Sequence, residues 1–126
     1  MPVRSLTSSV LKWPDRDSVV RALTVWAQRL GAARSDLLRV GYFGSYATGQ
    51  WGVGSDLDLV LVVSRTDRPF IERASRWDAT GLPVPADVIV YTPDEWDAVL
   101  ARADRFARVM ADELKWVWSR DGNGDA

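Results

Sequence analysis

The sequence predicts a small α/β sandwich, with three or four strands covered by helices. Two observations predict it. Stretches with helical spacing of apolar residues alternate with short apolar runs of strand length, and Gly, Pro and Asp residues punctuate them. The chain's 126 residues suit one domain, and an apolar fraction of 47% can fill one core.

Residues 1–14 contain Pro2 and Pro14, show no period and are expected to form an extended arm. The domain itself is expected to span 15–120. From Asp15 onward, Val19, Leu23, Trp26 and Leu30 recur at helical spacing, and Gly31 is the expected stop. Leu37 to Phe43 reads as a first strand ending at Gly44, and Ser45 as the start of a short helix. Leu57 to Val63 is apolar almost throughout, so this second strand should be covered on both faces. Phe70, Ile71, Ala74 and Trp77 suggest a short helix ending before Gly81. Val84 to Tyr91 is a third strand, with Pro85 acceptable only near its start or at an edge. Thr92-Pro93-Asp94-Glu95 is a strong helix start, because it combines a Thr cap, Pro at the first position and Glu at the third. Trp96, Val99, Leu100, Ala103, Phe106 and Met110 continue as a core stripe, and Trp116 to Trp118 forms a last short strand. Residues 121–126 are Gly-, Asn- and Asp-rich and are expected to be disordered.

Composition narrows the chemistry. The chain has no Cys and no His, which removes thiolate catalysis, disulfides, the commonest general base and the usual zinc ligands. A net charge of −1 argues against nucleic acid as the main partner. There is no apolar run of membrane-spanning length and no secretory signal pattern, so a cytoplasmic protein is expected.

Catalysis must then use carboxylates, hydroxyls, basic side chains or a bound metal. The segment Gly44 to Val63 supplies such groups. A Gly-Ser turn stands ten residues (46–55) ahead of Asp56-Leu57-Asp58, which opens the second strand. Carboxylates on alternate strand residues face one way and repel unless a cation lies between them. Mg²⁺ or Mn²⁺ prefers such oxygens. Asp87, at the head of the third strand, is the best-placed third carboxylate, able to bind metal and accept a proton from a hydroxyl. Gly44 permits close backbone approach and Ser45 adds a hydroxyl at a helix start, features that suit the phosphates of a nucleoside triphosphate. Gly44 to Gly49 has the spacing of a P-loop, but Gln50 and Trp51 stand where Lys and Ser/Thr are required.

On these residues the chain resembles the nucleotidyltransferase superfamily of DNA polymerase beta. The ten-residue spacer and short length resemble its minimal nucleotidyltransferase branch, whose members often pair with a helical HEPN toxin. The resemblance implies a nucleotidyltransferase fold with a small mixed sheet. It also implies Mg²⁺-dependent transfer of AMP from ATP to a hydroxyl, such as a tyrosine of a HEPN-type partner. Carried over by position, Gly44 and Ser45 match the triphosphate-binding turn, Asp56 and Asp58 the metal pair, and Asp87 the third acid. Many relatives have Arg where this chain has Thr48.

Two rival readings go with that departure and with the seven Trp residues. One is a non-catalytic antitoxin that masks its partner through apolar surface. The other is a small-molecule transferase of the antibiotic-modifying kind, completed as a homodimer. Trp51 could touch a base, whereas the remaining Trp residues are expected to fill the core or an interface. Arg65, Arg68, Arg73 and Arg76 are expected to form a solvated helix face.

Overall fold

A computed structural model describes residues 14–121. The expected arm and tail therefore lie outside the described residues, except for Pro14 and Asp121. In chain order the elements are α1 (Arg16–Ala33), β1 (Leu37–Phe43), α2 (Ser45–Thr48), β2 (Leu57–Val63), α3 (Phe70–Arg73), β3 (Ala86–Tyr91), α4 (Pro93–Ala101), α5 (Arg105–Glu113) and β4 (Lys115–Ser119). A 3-10 turn, Ala74–Arg76, extends α3.

The strands form one mixed sheet in the order β3-β2-β1-β4. β1 pairs antiparallel with β2 and β4, whereas β3 lies parallel to β2. Both faces of β2 are covered, as its apolar run requires. Leu57, Leu59, Leu61 and Val63 face a core built with Val19, Leu23 and Ala27 of α1. Val60 and Val62 face a second core with Trp96 and Val99 of α4 and Met110 of α5. Alternation along one strand thus divides the interior into two layers.

Local signals account for most boundaries. Asp15 caps α1 by accepting from the Ser18 amide at 2.8 Å. Thr92 and Glu95 form a reciprocal capping box, with Pro93 at the first turn of α4. Pro85 lies just outside β3, where its carbonyl accepts the Leu57 N–H at 2.8 Å.

Two expectations fail for tertiary or cap-related reasons. Gly31 does not stop α1. It is buried within the helix, and the Trp118 indole packs where a Cβ would stand. The stripe from Trp96 to Met110 is two helices rather than one continuous element. The chain turns at Ala103 (φ 56°), and Asp104 caps α5 through the Ala107 amide at 2.9 Å. The expected short helix at Phe70 does form before Gly81, with Phe70 and Ile71 facing outward.

The basic run is also not a uniform solvated face. Arg73 is only 9% exposed, pairs with Glu95 at 2.6 and 3.0 Å and donates to the Val90 carbonyl at 3.2 Å. It therefore ties α3 to the β3–α4 junction, and it holds the Glu95 carboxyl down at about 2.

Candidate active site

The site lies where β1 ends and β2 begins. At Gly44 the backbone adopts φ 79° and ψ −150°, a region essentially reserved for glycine. This conformation turns the chain from β1 directly into α2, where the Ala47 and Thr48 amides both bond to the Gly44 carbonyl at 3.0 Å. Gly49, at φ 88°, ends the short helix. A side chain on Gly44 would run into the Asp58 carboxylate, so the turn and that carboxylate are in close contact. Ser45 follows as the first residue of α2 and is half-buried.

Strand register assembles the acids. Asp58 lies opposite Asp87 in the parallel β2–β3 pair and opposite Phe43 in the antiparallel β1–β2 pair. Residues in register share a face, so Asp58 and Asp87 stand side by side on the side of the sheet that carries Val60 and Val62. Asp56 lies one residue before β2 and is exposed. Asp87 is exposed too, on an edge strand.

Electrostatics confirm the grouping. The Asp58 carboxyl is held above the ordinary carboxylate range, chiefly by burial, then by the negative charges of Asp87, Asp56 and Glu113. Among the described residues, no three acidic side chains close on one point as a ready-made chelate. Their oxygen-only donors and mutual repulsion nevertheless fit a hard divalent cation, which would remove the repulsion by binding between them.

Glu113 was absent from the sequence-based candidates. It sits in the last turn of α5, 26 residues beyond Asp87, and its Oε1 accepts the Gly44 N–H at 3.2 Å. The spacing gave no clue to it. The available signal was an acidic residue at a helix C-terminus, where the dipole disfavours negative charge. Of the residues expected to act, Gly44, Asp56, Asp58 and Asp87 come together here, with Ser45 adjoining. Thr48 is exposed, its hydroxyl 3.5 Å from the Ser45 carbonyl. Trp51 is half-buried and stacks on Tyr46, with ring centroids 5.9 Å apart and 5° between planes. That contact ties the loop to the core.

Comparison with known proteins gives the family and the fold. The sequence profile described as "Nucleotidyltransferase domain" matches residues 27–116. The fold is similar to that of a candidate nucleotidyltransferase from Sulfolobus solfataricus, with a TM-score of 0.59 and 21% identity over 84% of this chain and 85% of that one. It is also similar to a chain in a crystal structure of a toxin–antitoxin with AMP-PNP, with a TM-score of 0.52 and 18% identity over 81% of this chain and 77% of that one. At such identities the two structures speak for the fold alone. No curated protein is significantly similar to the chain.

Proposed function

Because the chain belongs to the nucleotidyltransferase domain family, we propose that it moves AMP from ATP onto a hydroxyl, and that the acceptor is a tyrosine on a HEPN-type toxin partner. The observation that carries this reading is the grouping of Asp56, Asp58 and Asp87 beside the Gly44 turn. The toxin–antitoxin neighbour with its nucleotide analogue supports the partner context.

The three aspartates would hold Mg²⁺ or Mn²⁺. When bound, the ion neutralises phosphate charge and stabilises the attacking and leaving oxygens. The Gly44 turn and the Ser45 hydroxyl would hold the β- and γ-phosphates. An anionic oxygen of Glu113 already accepts the Gly44 N–H, which fits a cradle for anions, and Glu113 must give way when a phosphate takes that bond. The acceptor oxygen attacks the α-phosphorus, the bond to the α–β bridging oxygen breaks, and pyrophosphate leaves. Asp87 takes the hydroxyl proton. Its exposure on an edge strand lets a side chain from another protein reach it.

The test uses ATP labelled at the α-phosphate, Mg²⁺ and a HEPN-type protein co-expressed with this chain. Label should move to the partner and stop in Asp87→Asn. A partner that stays unlabelled, or that Asp87→Asn labels at the wild-type rate, sinks the proposal.

A further inference from the structure

The far end of β2 carries a second polar site that nucleotidyl transfer does not use. A cavity of about 130 Å³ opens there, roughly 17 Å along the strand from Asp58 at about 3.3 Å per residue. Its wall contains five arginines: Arg34, Arg65, Arg68, Arg73 and Arg76. Val63, Val90 and Trp77 supply the apolar part of the lining.

Two of the arginines are locked in place. Arg34 bonds Asp36 through two nitrogens at 3.1 and 3.2 Å and lies 3.9 Å over the Trp77 ring. Arg73 is fixed by Glu95, by the Val90 carbonyl and by the Arg68 carbonyl at 3.1 Å. Arg65 and Arg76 are exposed and have no carboxylate partner among the described residues, whereas Arg68 meets Glu72, outside the wall, only at 3.9 Å. Asp36 and Asp67 in the wall, with Glu95 and Glu72 just outside it, answer four of the five charges. This is a local excess in a chain whose net charge is −1.

The geometry points to a binding site for one phosphate group in this cavity. Arg65 and Arg76, with no carboxylate partner among the described residues, are placed to take a phosphate anion. Guanidinium N–H groups suit its oxygens, and Arg34, pre-fixed by Asp36 through Nε and Nη2 alone, reduces the ordering cost. The volume admits a tetrahedral oxyanion but no attached nucleoside, so only the phosphate enters, either as the free ion or as the end of an ester. A bound phosphate would tie the loop after β2 to the ends of α1 and α3.

The experiment is calorimetric titration of the full chain with inorganic phosphate, in chloride buffer without divalent cations, with AMP in a second arm. Wild type should bind one phosphate saturably, and more weakly as salt rises. Arg65→Ala and Arg76→Ala should each weaken binding roughly tenfold, the effect of one lost charge-assisted contact at a partly exposed site. Both side chains are exposed and have no carboxylate partner among the described residues, so urea midpoints without phosphate should match wild type. Ser45→Ala should bind phosphate as wild type does, which separates this site from the nucleotide turn. If AMP displaces phosphate only when both arginines are present, the natural ligand is an ester, and if it does not displace phosphate, the ligand is the free ion. Undiminished binding by the double variant, loss of binding in Ser45→Ala, or no saturable binding by wild type overturns the assignment.

Discussion

Asp58→Asn should stabilise the fold while ending transfer. Asp58 faces Asp87 across the β2–β3 pair and feels Asp56 and Glu113 as well. No hydrogen bond holds its side chain among the described residues, so the isosteric amide gives up little. A like-charge pair in register costs about 0.2–1 kcal/mol. Relief of three such repulsions, two of them at longer range, should total about 1 kcal/mol, or about 4 °C for a domain of this size. The sign follows from linkage. A carboxyl whose folded value lies above its unfolded value of 3.8 loses stability as pH rises through the folded value. Wild type therefore carries the whole penalty at pH 7, and the two proteins should converge below pH 3.8. Urea unfolding in a chelator at pH 7 and pH 3.5 measures both quantities. Added Mg²⁺ should then stabilise wild type by mass action and leave Asp58→Asn unchanged. If Asp58→Asn is less stable than wild type in chelator at pH 7, the carboxylates do not repel and the reasoning fails.

Gly44→Ala forces a side chain into a glycine-only conformation and against Asp58, so it should lose about 2–4 kcal/mol in urea unfolding, the upper end reflecting the collision. ATP binding should fall with it, and unchanged binding would separate the turn from the nucleotide. Glu95→Gln should cost about 1 kcal/mol at pH 7, because its side chain is 40% exposed and solvent screens the Arg73 pair. Since Glu95 is depressed from 4.5 to about 2, that stability is present above pH 4.5 and disappears as pH falls toward 2, so urea midpoints of wild type and variant should converge in acid. Gly31→Ala should destabilise by about 1–2 kcal/mol despite alanine's better helix propensity, because the Trp118 indole occupies the Cβ position. A more stable variant in thermal melts would show that the Trp118 contact yields.

Several elements were legible because their causes are local. β1 and β2 match the apolar runs Leu37–Phe43 and Leu57–Val63 residue for residue. The capping box at Thr92 announces α4 through side chains three residues apart. The Gly-Ser turn and the Asp-x-Asp pair stand out for the same reason, since turn chemistry and strand alternation are written in neighbouring residues. Ala103 and Asp104 show how a local signal can be outweighed. The apolar stripe runs on past the break, and an Asp cap inside it is easily read as a surface residue.

Sequence by itself determined the first two strands, the capping box at Thr92, the Gly-Ser turn and the Asp-x-Asp pair, because each depends on residues a few positions apart. Only tertiary structure decided that β3 lies parallel to β2, with Asp87 beside Asp58, that Glu113 reaches the Gly44 amide, that Arg73 is buried against Glu95, and that Gly31 belongs under Trp118. Those contacts join residues 22 to 87 positions apart along the chain. No short-range pattern encodes such pairings, since they form when strand register and helix packing bring the distant side chains together.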